Sequence, residues 1–248
     1  MKVYYIFDSY CGWCYGFETI LKPFIEAHPE LEVTVLSGGL FMDGHSLSAF
    51  PYMSDTNKRI ADMFGVEFGK PYLNLLETGS MVPDSNDAAV GFGVLRSFLP
   101  KGEHVNLASK MHEAFYLDGK SLSDVETIES IAKSYDLPAD KIAEEFIRIS
   151  EEGKYHPDFY EARKIGVTSF PTLFLEINGK HYDLKGSAIT LNDLEENLNI
   201  IKEKGGILND GYNTPVACNI DGTGCSYAHG TRVFAPRLAE TLEFDRGR

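Results

Sequence analysis

The chain has 248 residues, 43% of them hydrophobic, and a formal net charge of −14. That apolar fraction is enough for a sizeable core and argues against global disorder. The acidity repels phosphate backbones, which sets nucleic-acid binding aside, and no stretch approaches the ~20 apolar residues that span a bilayer.

Residues 2–7, Lys-Val-Tyr-Tyr-Ile-Phe, are β-branched and aromatic and predict a buried strand. The apolar run Val3 to Phe7 ends at Asp8 and is shorter than the roughly 7–15 residues of a secretory signal, so a cytoplasmic protein is expected. From Cys11 the pattern turns helical, with Phe17, Ile20, Leu21, Phe24 and Ile25 on one face, until His28-Pro29. Leu31 to Leu36 predicts a second strand, and Ser37-Gly38-Gly39 a turn. These segments read as strand–helix–strand.

The next stretch is mostly helical, with predicted helices at 55–64, 85–99, 104–117, 123–135, 138–150 and 156–165. Ser123 and Glu126 have capping-box spacing, and Pro138 suits a helix start. Residues 40–54 and 66–84, rich in Gly, Pro and Ser, read as loops. Strand signals return at Pro171 to Ile177, Asn178-Gly179 marks a type I′ hairpin turn, and Lys180 to Leu184 is the return strand. A helix is predicted at about 190–204. The order βαβ, helical insert, ββα implies an α/β domain with a mixed sheet. Residues 1–40 and 166–204 form that domain, 41–165 an all-helical insert, and 205–248 an extension to which no fold can be assigned.

The four cysteines are Cys11, Cys14, Cys218 and Cys225. Cys11 and Cys14 share one face of a helical turn. The helix N-terminus, with its unpaired N–H groups and positive dipole end, favours an anion. Cys11 is therefore the expected nucleophile, and Cys14, one turn deeper and more buried, the resolving thiol of a mixed-disulfide exchange. A bare Cys-x-x-Cys is also consistent with half a zinc site or two inert thiols. Its position directly after a strand, opening an amphipathic helix, favours redox chemistry.

Trp13 has two readings, an apolar docking surface for substrate beside the nucleophile or a ring packed under the insert. Tyr15, Phe17, Phe41 and Phe50 are further groove candidates. Cys218 and Cys225, with six residues between them, fit a second redox pair, a structural disulfide, a zinc site of unusual spacing or incidental thiols. His229 lies near them, but the seven histidines form no metal-ligand pattern, and neither metal nor cofactor is expected.

The segment Phe7-Asp8-Ser9-Tyr10-Cys11-Gly12-Trp13-Cys14-Tyr15-Gly16-Phe17 resembles the active-site segment of the DsbA-like thioredoxin family, particularly its cytoplasmic FrnE-like branch of dithiol-disulfide isomerases. Ser37-Gly38-Gly39-Leu40, His112-Glu113-Ala114-Phe115-Tyr116 with Leu122-Ser123-Asp124, and Gly166-Val167-Thr168-Ser169-Phe170-Pro171-Thr172-Leu173 are similar to further family segments. The resemblance covers about residues 2–203. It implies a thioredoxin fold with an inserted helical domain. It also implies a cis Phe170–Pro171 bond beside the cysteines, with the Phe170 backbone free to pair with an extended substrate.

Gly12-Trp13 departs from the Pro-His pair of the periplasmic oxidases in this family, which argues against a strongly oxidising potential. The expected function is a reductase or isomerase of protein disulfides, kept reduced by a cellular thiol. Two rivals stand beside it. One is a DsbA-like redox-sensing adaptor for proteolysis; the other is a glutathione-dependent isomerase or transferase of the same fold, against which Cys14 weighs.

Overall fold

In the computed structural model, Val3, Tyr5, Ile6 and Phe7 bury their side chains along β1 (Lys2–Phe7), an inner strand of a four-stranded sheet. The structure describes residues 1–204 and, beyond them, the strand residues 217–219, 224–226 and 233–234. The sheet order is β2-β1-β4-β5. β2 (Glu32–Ser37) runs parallel to β1 with Val33 opposite Val3, and β4 (Thr172–Ile177) runs antiparallel to it with Leu173 opposite Tyr5. β5 (Lys180–Asp183) closes a hairpin with β4. Asn178 and Gly179 both have positive φ, 53° and 75°, as a type I′ turn demands.

α1 (Gly12–Ala27) joins β1 to β2, and α9 (Leu191–Lys204) packs against it. Between β2 and β4 the chain forms α2 (Met53–Phe64), α3 (Lys70–Thr78), α4 (Ser85–Ser97), α5 (His104–Tyr116), α6 (Val125–Ser134), α7 (Ala139–Glu151) and α8 (Pro157–Lys164). α6 packs on α7, α7 on α4, α2 on α1, and α8 on β2. This is the thioredoxin fold with helices inserted between its two halves.

Two expectations are corrected. The predicted loop 66–84 contains α3. Its Pro71 lies in the first helical turn, where no N–H partner is needed, and Gly79 caps its C-terminus at φ 63°. The residues that read as loop markers are the ends of a short helix. The capping box at Ser123 is one residue early: α6 starts at Val125 with Asp124 as N-cap, and the Ser123 amide donates instead to Ser121 Oγ.

The insert is tied to the sheet by buried polar contacts. Arg96 of α4 makes a bidentate pair with Asp158 of α8 at 2.6 and 2.7 Å and donates to the Val35 carbonyl of β2. Asp158, 3% exposed, also accepts the Ser37 amide. Gly16 lets α1 and α2 touch, since a Cβ there would lie 2.5 Å from Phe64 Cδ2 and 2.9 Å from Ile60 Cγ2.

The extension left unassigned from sequence contributes a second sheet. β3 (Ser169–Phe170) pairs with β6 (Ala217–Asn219), β6 with β7 (Gly224–Ser226), and β7 with β8 (Val233–Phe234), all antiparallel.

Candidate active site

Cys11 is the N-cap of α1. Its φ of −88° and ψ of 108° are extended, while its carbonyl already accepts the Cys14 and Tyr15 amides at 3.0 and 3.1 Å. The Asp8–Tyr10 loop sets this geometry. Asp8 Oδ1 accepts the Tyr10 amide, a local turn typical of Asp, and the Asp8 carbonyl accepts the Cys11 amide. Asp8 Oδ2 accepts the Leu40 amide and so ties the loop to the chain beyond β2. Burial pushes the Asp8 carboxyl up to about 6, although these hydrogen bonds pull it down.

The Cys11 thiol donates to the Phe170 carbonyl at 3.7 Å, and the Phe170–Pro171 peptide is cis. The structure thus brings Cys11, Cys14, Phe170 and Pro171 together. Cys11 is as buried as Cys14, at 1% and 0% exposure, contrary to the expectation that Cys11 is the more exposed. Cys14 is pushed well above the ordinary thiol value by burial and by its hydrogen bond to Cys11.

Trp13 is 1% exposed, its ring edge-on to Phe64 of α2 with centroids 6.5 Å apart. The docking-surface reading of Trp13 is therefore corrected: the indole fills the seam between α1 and the insert. Phe17 lies in the core, whereas Tyr15, Phe41 and Phe50 keep partial exposure. In the tail, Cys218 and Cys225 are described through their strands alone, and His229 lies outside the described residues.

Several residues at the site went unread in the sequence. His112 of α5 is fully buried, with Nδ1 3.0 Å from Glu18 Oε1 and Nε2 3.0 Å from the Asp8 carbonyl. Both partners accept hydrogen bonds, so the imidazolium satisfies both. Burial alone would lower the His112 pKa, but the Glu18 charge and hydrogen bond, with Asp8, raise it above its ordinary value. Tyr116 Oη donates to the Tyr10 carbonyl at 2.6 Å, clasping the loop just before Cys11. Lys185, 1% exposed, sits 5.7 Å from the Phe17 ring centroid. Burial pulls it down to about 8, against the opposing pull of Asp183, Cys14 and Cys11.

A signal for His112 and Glu18 did exist: each is a polar residue on the apolar face of its helix, Glu18 beside Phe17 and Leu21, His112 beside Ala108 and Met111. Lys185, in the polar run after the hairpin, carried none. Among the described residues, no three His, Cys, Asp or Glu side chains cluster to hold a metal ion, and no helix is long and apolar enough to cross a membrane.

Solved structures share this fold. The cytosolic disulfide reductase DsbM from Pseudomonas aeruginosa is 23% identical, with a TM-score of 0.68 over 82% of this chain and 100% of that one. Its complex with glutathione gives 24%, 0.67, 80% and 98%. A candidate protein disulfide isomerase from Nitrosomonas europaea is 17% identical, with a TM-score of 0.69 over 83% of this chain and 98% of that one. At these identities the likeness is one of fold. No curated protein matches the chain. The family model of the DSBA-like thioredoxin domain matches residues 2–199, which include both site cysteines and the Phe170–Pro171 segment. The chain belongs to the family of DSBA-like thioredoxin domains.

Proposed function

We propose that this chain is a thiol–disulfide oxidoreductase that reduces or isomerises protein disulfides. The observation that carries the reading is the position of Cys11 at the N-cap of α1, its sulfur 3.7 Å from the Phe170 carbonyl, with Cys14 one turn on. Cys11 attacks a client disulfide and forms a mixed disulfide. Cys14 loses its proton, attacks the Cys11 sulfur and releases the reduced client. The high pKa of Cys14 suits this order, because the resolving thiol stays protonated until the adduct forms. Lys185 supplies positive charge near both sulfurs. The Phe170 backbone receives the client as an added strand.

The Pseudomonas reductase supports cytoplasmic residence and the reductive direction, and its glutathione complex supports a small thiol as the reductant. The FrnE-like branch rests on the Cys11-Gly12-Trp13-Cys14 segment and its companions. By the same reading, residues 1–40 with 166–204 form the redox domain, and 41–165 position it.

The test is insulin reduction with a thiol reductant, together with non-reducing gels of two variants. Wild type should turn over and Cys11→Ala should not. Cys14→Ala should accumulate reducible adducts, while Cys11→Ala accumulates few. Adducts chiefly in Cys11→Ala, or turnover without Cys11, would overturn the assignment.

A further inference from the structure

We propose that the β6–β7 hairpin is an internal substrate of the Cys11/Cys14 pair: it holds the strand edge at Phe170 that an extended client would take, and brings Cys218 and Cys225 there as a second redox pair. This rests on the oxidoreductase reading above and adds a reaction to it.

The argument is one of register. β3 is two residues long, and among the described strands it pairs with β6 alone. Phe170 stands opposite Cys218, and Cys218 opposite Cys225. Directly opposed residues of antiparallel strands have Cα atoms about 4.5–5.5 Å apart. A disulfide needs roughly 4.4–6.8 Å. The hairpin therefore gives positions 218 and 225 the backbone spacing of a disulfide. The same row of opposed positions begins at Phe170, whose carbonyl accepts the Cys11 thiol. Strand addition at this edge is how the client is proposed to dock, so β6 and a client compete for one place. Cys11 meets this edge at the Phe170 carbonyl, and Cys218 stands opposite Phe170 along it.

The chemistry balances within the chain. Reduction of a client leaves Cys11–Cys14 as a disulfide and vacates the edge, to which β6 returns. The Cys218 thiolate attacks the Cys11 sulfur, the Cys11–Cys14 bond breaks, and Cys14 leaves and takes up a proton. Cys225 then loses its proton and attacks the Cys218 sulfur, and Cys11 leaves as the thiolate. Two electrons have passed from Cys218/Cys225 to Cys11/Cys14, and the 218–225 disulfide is left for a small thiol to reduce.

The experiment uses two full-length variants. Cys14→Ala/Cys225→Ala keeps Cys11 and Cys218; Cys14→Ala/Cys218→Ala keeps Cys11 and Cys225. Each is given one equivalent of glutathione disulfide, quenched over time and mapped by non-reducing digestion and mass spectrometry. The first variant should convert its Cys11–glutathione adduct into a monomeric Cys11–Cys218 linkage, at least about ten-fold faster than the second forms Cys11–Cys225. A Cys11–glutathione adduct that persists beside free Cys218, or equal rates in the two variants, would overturn the internal-substrate proposal while leaving the oxidoreductase reading intact. Cys11 left unmodified in both would overturn the nucleophile assignment, and the inference with it.

Discussion

Glu18 of α1 and His112 of α5 form a buried ion pair, Oε1 to Nδ1 at 3.0 Å, with side chains 5% and 0% exposed. They join α1, which carries the cysteines, to α5 of the insert. Removing one partner of a buried pair strands the other charge, at a cost of ~3–5 kcal/mol. Glu18→Ala should lower unfolding stability by that order, and Glu18→Gln, which keeps an acceptor for the ring, by less. Urea denaturation at neutral pH checks this; equal losses in both variants would show that charge is not what matters.

The same pair makes stability depend on pH. The folded pKa of His112 lies above its ordinary 6.5. Between the unfolded and folded values the native state binds the extra proton, so its contribution is fully present below about pH 6.5 and is lost as pH rises through the folded value. Asp8, raised to about 6, acts lower: it makes stability fall as pH rises from about 4 to about 6 and adds little slope above 7. The urea midpoint of wild type should therefore decline from pH 6.5 upward, and His112→Asn should flatten that decline. An unchanged slope in the variant would assign it elsewhere.

Gly16→Ala should destabilise despite the better helix propensity of alanine. The added methyl would meet Phe64 and Ile60 of α2, at 2.5 and 2.9 Å. Overpacking of this kind costs ~1–3 kcal/mol, against the ~1 kcal/mol that Ala gains over Gly in a helix. Phe64→Leu in the same chain should recover part of the loss. Thermal denaturation of the single and double variants measures both, and a neutral Gly16→Ala would show that α2 is free to shift.

Asp158 is the anchor of the insert on β2. Asp158→Ala leaves Arg96 without its bidentate partner and the Ser37 amide without its acceptor. A loss of ~3–5 kcal/mol is expected. Hydrogen exchange gives the specific readout: the Ser37 amide should exchange faster relative to those of β1. Uniform acceleration would mean global destabilisation only.

Cys11 and Cys14 should differ in reactivity. Burial and the neighbouring Cys11 hold Cys14 well above the ordinary thiol value, so few Cys14 thiolates exist near pH 8. Iodoacetamide followed by peptide mapping should label Cys11 at least about ten-fold faster than Cys14. Faster labelling of Cys14 would reverse the roles.

The sequence by itself determined the order of the elements, strand–helix–strand and then hairpin and helix, and the place of Cys11 and Cys14 at the start of α1. The β-branched and aromatic run of Lys2 to Phe7, the apolar stripe of Phe17, Ile20, Leu21 and Phe24, and the Asn178-Gly179 turn are local signals, set by backbone sterics and by the period of each element. α3 was missed because Pro71 and Gly79 mark helix ends and loops alike, and only the packing of Tyr72 into the core distinguishes the two. The fate of Trp13 was equally hidden, since burial depends on Phe64, some fifty residues away in the chain. Lys185 looked like an ordinary polar residue until the fold enclosed it, and the apolar helix faces that carry Glu18 and His112 did not name the partners these two find. Their charge states and hydrogen bonds follow from loss of water and from long-range partners, which no local pattern encodes. The alignment of Cys218 with Phe170 is of the same kind, a strand register decided by pairing across nearly fifty residues. Local periodicity is written residue by residue, whereas desolvation and register exist only once the chain has closed on itself.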